Sequence, residues 1–215
     1  MILSAYFRLL RAGYVLAREG ALSMISAKDL PPALAPLRAG LWLGRLIERP
    51  SVRKTGRVER LNKALNKLGP TYVKFGQTLA TRPDVVGAGI ANDLAGLQDR
   101  MDPFDPALVP AILKQALDDK AAELTELSAP IAAASIAQVH QAKLRPADGL
   151  PKTVAVKILR PGVAARFMSD IESFYVAARL ADRLSASTKR LRPIEVVQTL
   201  DRSAQLELDL RLEAA

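Results

Sequence analysis

The chain of 215 residues contains no cysteine, which removes disulfides, Cys-based zinc sites and thiol nucleophiles, fits a reducing compartment and takes thiol redox chemistry off the table. Histidine is nearly missing too. The single His140 argues against His-cluster metal sites and makes a His-centred triad hard to build. Aromatic residues make up only 5% of the chain, so few rings exist to stack on bases, and a nucleic-acid-binding role would rest on charge alone. No run of 18 or more apolar residues is free of charge, so the sequence offers no spanning helix. Near the N-terminus Arg8, Arg11 and Arg18 interrupt the apolar stretch too early for a signal-peptide core.

What is present is unevenly distributed. Of the net charge of +9, the whole excess lies in residues 1–73, with 13 Lys and Arg against 4 Asp and Glu; residues 74–215 carry 18 of each sign. The opening third is therefore a basic arm. Within it Ile2, Leu3, Tyr6, Leu10 and Tyr14 recur at near-helical spacing among arginines. This pattern suits an amphipathic helix lying on an anionic membrane surface, and equally a helix packed on its own domain with a solvated basic face.

Prolines divide the chain. Breaks are expected at Pro31-Pro32, Arg49-Pro50, Gly69-Pro70 and through the cluster Pro103 to Pro110. Helices are expected over 53–67, 71–80 and 90–100, and from Asp105 with Pro106 in the first turn through Leu117. From about residue 124 the texture changes: AQVHQAKL (137–144) alternates, and TVAVKIL (153–159) is β-branched and apolar. The polar segment between them, with Pro146, Asp148, Gly149 and Pro151, reads as a hairpin connection. Phe167, Ile171, Phe174, Ala178, Ala181 and Leu184 then mark a helix, the polar stretch SASTKRLRP follows, and a last helix runs from about Ile194 to the end.

Four segments carry chemistry. VAVK (154–157) is a strand ending in Lys157, which is how a kinase N-lobe delivers an ammonium to the α- and β-phosphates of a nucleotide; an edge lysine that is merely solvated has the same sequence. Ahead of the hairpin, PIAAASIAQVH (130–140) places Ala132, Ala133, Ala134 and Ser135 where kinases have a Gly-rich turn, small side chains that let backbone N–H groups approach phosphates. An Ala-rich helix start or a packed strand would read similarly. In LELDLRLEAA (206–215), Asp209 and Glu213 are four apart, so a helix puts them on one face where a cation is needed; Glu207 and Arg211 are spaced to pair along the surface. Glu213 is the candidate helix carboxylate for Lys157. Finally LGPTYVKFGQTLATRPDVV (68–86) sets Lys74, Gly76 and Gln77 in a helix, and a mid-helix glycine costs about 1 kcal/mol against alanine, which implies close approach of another group.

These motifs resemble, in order, those of the UbiB family of atypical kinases: GPTYVKFGQTLATRPDVV with LQDRMDPF (97–104) is similar to its KxGQ signature, PIAAASIAQVH to its Ala-rich nucleotide loop, VAVKILRPGV to its lysine strand and ELDLRLEAA to its ExD helix. The resemblance spans residues 68–215 and implies the following roles. Lys74, Gly76 and Gln77 belong to a regulatory helical extension over the active site, and Glu207 and Asp209 are the carboxylates that meet Lys74. Lys157, with Ala132 to Ser135, binds nucleotide, and Glu213 is its ion-pair partner. The implied cofactors are ATP and magnesium, the implied role is support of ubiquinone (coenzyme Q) biosynthesis, and the implied partners are a membrane surface or proteins of prenyl-lipid metabolism, with no nucleic acid. The location implied is cytoplasmic, peripheral to the inner membrane.

The catalytic-loop Asp and Asn and the metal-binding Asp of a C-lobe have no counterpart up to Ala215, so no complete catalytic set and no magnesium ligands are expected here. The fold expected is α+β: a basic helical region (1–67), a KxGQ helical extension (68–123), and a kinase-like N-lobe of small antiparallel sheet plus helices (124–215), without a C-lobe. The alternative function is a non-catalytic membrane-surface or partner-binding module working through the basic arm.

Overall fold

The computed structural model describes residues 2–24, 42–97, 101–145, 149–184 and 189–213; the break expected at Pro31-Pro32 and parts of the polar segments after Arg145 and before Pro193 lie outside them. The architecture is α+β, a small antiparallel sheet together with many helices, and the chain divides into two units. One unit comprises residues 1–98 and 165–205, the other 99–164 and 206–215.

The first unit is helical. Its helices are α1 (Ile2–Arg18), α2 (Arg57–Leu68), α3 (Pro70–Ala80), the short α4 (Pro83–Val86) and α5 (Ala88–Ala95), joined by most of α7 (Val163–Leu184) and α8 (Pro193–Leu208); a short helical stretch also covers 42–47. Gly69 both ends α2 and precedes α3, at φ 111°, a value only glycine adopts without strain, and Pro70 starts α3 with the fixed φ of a first helical turn. The guanidinium of Arg166 donates to the Leu68 carbonyl at 2.9 Å, satisfying one of the acceptors left open at the end of α2. The core gathers where the leucines of α2 (Leu61, Leu65, Leu68) meet Tyr72 and Val73 of α3, Leu94 of α5, and Phe167, Ile171 and Phe174 of α7, all buried. Phe174 receives Tyr72 edge-on at 4.9 Å and stacks with Phe75 at 4.7 Å.

Boundaries differ from the pattern in instructive ways. The helix expected over 53–67 begins only at Arg57, after a 3-10 turn over Pro50–Lys54, because Pro50 favours a first turn and Thr55 is extended. The helix expected over 90–100 is α5, which starts earlier and stops at Ala95 with Gly96 as its cap. At Asp105 the side chain accepts from the Ala107 N–H, capping a 3-10 turn (Pro106–Leu108) that leads into α6 (Val109–Leu117).

The second unit holds the sheet. Its strands are β1 (Leu124–Thr125), β2 (Pro130–Ala133), β3 (Ala137–Leu144) and β4 (Lys152–Leu159). The centre is β3, paired along its full length with β4. Its other edge is shared: β1 pairs with Lys143 and Leu144, and β2 with Gln138 to His140. Between them Ser128 continues the contact, its N–H donating to Gln141 O at 2.8 Å and its hydroxyl accepting from Gln141 N–H at 2.9 Å. The two predicted strands are thus present, and residues 130–133, expected as loop, are a strand because β3 offers them a ladder partner.

Candidate functional site

Strand register decides which side chains share a face, and here it sorts the candidate site residues of the sheet. Lys157 of β4 is the Cα partner of Val139 on β3, and Val139 is in turn the partner of Ala132 on β2. Directly opposed residues point to the same side of a sheet, so Ala132, Val139 and Lys157 form one row across three strands. This side is the open one: Lys157 and Ala132 are exposed and Val139 half-buried. Gln138 and His140, one residue out of phase, are buried on the opposite side.

That buried side is polar yet satisfied. The Nδ1–H of His140 donates to the Ser128 carbonyl (2.7 Å), which leaves Nε2 to accept from the Gln138 amide (2.8 Å). The Gln138 carbonyl oxygen accepts from the Phe104 N–H at 3.2 Å, and Met101 N–H donates to Ala133 O at 3.0 Å. Met101 and Phe104 therefore brace the strands on either side of the small-residue turn.

The turn itself runs from Ala133 to Ile136. Ala134 N–H donates to Ala137 O at 2.8 Å, closing the β2–β3 hairpin. Its carbonyl is gripped from just past the end of β4: Nε and Nη2 of Arg160 both donate to Ala134 O, at 3.0 and 2.9 Å. The Arg160 N–H donates to Ile136 O at 2.9 Å. A planar guanidinium forked on one carbonyl fixes the turn relative to the end of the lysine strand. Arg160 was not among the expected site residues, since the dipeptide Arg160-Pro161 reads from sequence as a break after a strand. The signal available was its place three residues past Lys157. Of the four turn residues, Ser135 is buried, whereas Ala133 and Ala134 are half-buried.

At the C-terminal end the expected single helix is in fact broken. α8 ends at Leu208, Asp209 is non-helical, and α9 is Leu210–Glu213. Asp209 caps the new helix by accepting from the Arg211 N–H at 3.2 Å, and the Arg211 guanidinium forks onto its two oxygens at 2.8 and 2.9 Å. The Arg211 hydrogen bonds hold the Asp209 carboxyl below its ordinary range. The cation that Asp209 required is thus two residues away, and Arg211, expected opposite Glu207, turns to Asp209 instead. Glu207 is half-buried in the last turn of α8. Glu213 ends α9, and the expected pairing of its carboxylate with Lys157 lies outside the described side chains.

In the helical unit, Lys74, Gly76 and Gln77 lie on α3. Lys74 and Gln77 are three apart, share a face and are both half-buried, while Gly76 is buried in the helix packing. A Cβ on Gly76 would lie 2.6 Å from Leu97 Cδ1 and 2.8 Å from Leu65 Cδ1, which is the close approach expected of a mid-helix glycine. The same glycine lines an apolar cavity of about 280 Å³ with Leu65, Tyr72, Phe75, Leu79 and Leu94.

The sheet's open side carries the Lys157 ammonium beside a row of small or apolar side chains, a residue set chemically suited to a nucleotide. Magnesium does not find a set of ligands: among the described residues no three His, Asp or Glu side chains come together, and Asp209 is engaged by Arg211. No helix among the described residues is long and apolar enough to cross a membrane.

Residues 96–215, more than half of the chain, match the ABC1 atypical kinase-like domain. Across its whole length the chain is 38% identical to the probable protein kinase UbiB of Pseudomonas paraeruginosa (strain DSM 24068 / PA7) and spans about 40% of the length of that relative. With a domain match over more than half of the chain, including the lysine strand, and 38% identity over its whole length, the chain belongs to the UbiB family of ABC1-type atypical kinase-like proteins.

Proposed function

We propose that the chain carries the nucleotide-binding lobe of an ATP-dependent atypical kinase or ATPase-like protein that supports ubiquinone biosynthesis at a membrane. The observation that carries this reading is the row Ala132, Val139 and Lys157 on the open side of the sheet, next to a turn of small residues held by Arg160. In this reading Lys157 contacts the α- and β-phosphates and the adenine lies along the apolar row. Bound magnesium would neutralise phosphate charge, with ligands that the described residues do not supply. Glu213 is proposed as the carboxylate that orients Lys157, and Lys74, Gly76, Gln77, Glu207 and Asp209 as regulatory residues; these roles rest on the family resemblance.

Calorimetric titration of the chain with ATP tests the reading. Lys157→Ala removes one charge-assisted contact and is expected to weaken binding roughly 10- to 100-fold. Lys157→Arg, which keeps the charge but not the compact ammonium, should recover part of the loss. An unchanged affinity in Lys157→Ala, or no ATP binding by the unaltered chain at millimolar concentration, would sink it. The second reading, a membrane-surface module, is favoured by one observation of its own, the exposed apolar side of α1.

A further inference from the structure

The packing of α1 is inverted relative to an ordinary surface helix. Its small residues face inward: Ala5 and Ala12 are buried at 0% and 5% exposure. Its large ones face outward: Leu3, Phe7 and Leu10 are 72%, 65% and 70% exposed, and Tyr6 and Tyr14 about half. At 100° per residue Leu3, Tyr6, Phe7, Leu10 and Tyr14 fall within a single stripe, with Arg11 and Arg18 along one edge. The helix is also fastened in this orientation. Arg8, on the inner side, donates to Ser173 Oγ at 2.7 Å and to Glu172 at 2.9 Å on α7. Rotating α1 to bury its large side chains would break that pair.

The neighbouring helical stretch repeats the pattern. Gly44 packs inward against Ala17 and Leu22, while Trp42, Leu43 and Leu46 are exposed, as is Arg45. The segment is tied to the end of α1 by the hydrogen bond from Arg49 N–H to Arg18 O at 3.1 Å.

We propose that the outward stripe of α1, continued by Trp42 and its neighbours, is a monotopic docking surface for an anionic lipid bilayer, the helix lying in the plane of the interface; this rests on the membrane part of the function proposed above. Three features favour lipid over protein. The outward residues combine Trp, Tyr and Phe with Leu, the composition of a membrane–water boundary, where ring bodies sit among acyl chains and polar tips meet headgroups. No acidic residue occurs in α1, and Arg11 and Arg18 border the stripe, matching negative headgroups. Antiparallel pairing of two copies through this stripe about a two-fold axis would bring those arginines toward their own kind. The Arg18 guanidinium lies over the Tyr14 ring at 5.9 Å, presenting charge and ring together at the edge.

The test is co-sedimentation of the full chain with phosphatidylcholine vesicles with and without about 30 mol% phosphatidylglycerol. Binding is expected to the anionic vesicles and to weaken in roughly 0.5 M salt. Phe7→Ser with Leu10→Ser should lower the partition coefficient roughly tenfold or more, since both side chains are exposed and their loss leaves the fold intact. Arg11→Glu should lower it as well. The same variants should bind ATP like the parent, and Lys157→Ala should bind vesicles like the parent, so this surface and the nucleotide site fail separately. Equal sedimentation of parent and double variant overturns the proposal. So does a parent chain that ignores anionic vesicles, or one that is a dimer in light scattering and becomes monomeric in the double variant.

Discussion

At the scale of single residues, the tightest spots lie along α3 and where it meets α7. Alanine at position 76 would gain about 1 kcal/mol of helix propensity, yet its Cβ would press on Leu97 and Leu65 at distances no settled contact has. Overpacking of that kind costs about 1 to 3 kcal/mol, so Gly76→Ala is expected to destabilise by roughly 1 kcal/mol in urea unfolding and Gly76→Val by more. A Gly76→Ala chain as stable as the parent would show that the leucines yield freely. Nearby, Asp170 is buried against α3. Desolvation raises its pKa above the ordinary 3.8, against the pull of the Thr71 hydroxyl and of Arg166, Arg8 and Arg11. Among the described residues neither Asp170 Oδ2 nor Thr71 Oγ1 completes a hydrogen bond of good geometry. Because the folded state holds this proton more tightly than the unfolded chain does, stability from this group is greatest below pH 3.8 and falls as pH rises through the raised folded value. Asp170→Asn should therefore stabilise the chain at neutral pH and make little difference below pH 3.8, read by urea melts at the two pH values. A neutral-pH loss would mean that the guanidiniums need the charge more than burial opposes it.

The elements show why some of the site was legible in the sequence and some was not. β3 and β4 are long enough for alternation to register, and Lys157 stands where the lysine strand was expected. β1 and β2 have two and four residues, and half of β2 is alanine, so neither carries a period; they are strands only because β3 has a free edge. The break at Asp209 is hidden for a different reason. LELDLRLEAA keeps a helical spacing throughout, and only the Arg211 fork and the cap on Arg211 N–H turn the chain there. Arg160 escaped notice because its structural contribution is a bond to a backbone carbonyl, that of Ala134, which no residue pattern in the sequence reveals. An element-level prediction follows from the polar side of β3. Gln138→Leu would strand two partners at once, the buried His140 Nε2 and the half-buried Phe104 N–H, and a buried group left unsatisfied costs about 1 to 3 kcal/mol. The melting temperature should drop by many degrees, while Gln141→Leu on the exposed side of the same strand should scarcely move it. Equal effects would mean that the Gln138–His140 pair contributes nothing to the sheet.

For the whole molecule, the consequence of the topology is that the N-terminal helices do not own their core. The helical unit leaves off at Gln98 and resumes at Ala165, so part of the core that α3 packs against, beside the leucines of α2 and α5, comes from chain that follows the sheet in sequence. Phe174 stacks on Phe75 and takes the edge of Tyr72, Phe167 and Ile171 are buried, and Arg166 closes the end of α2. Burying three such apolar side chains is worth about 5 to 9 kcal/mol, close to the entire stability of a domain. Residues 1–98 made alone should therefore show weak helicity by circular dichroism and no cooperative thermal transition, with Tyr72 and Phe75 exposed to solvent. The intact chain should melt cooperatively, and Phe174→Ala within it should lower stability by about 3 to 5 kcal/mol. If 1–98 melts as a folded unit, the leucines of α2 and α5 suffice for α3, and α7 is an addition to that fold rather than a part of it.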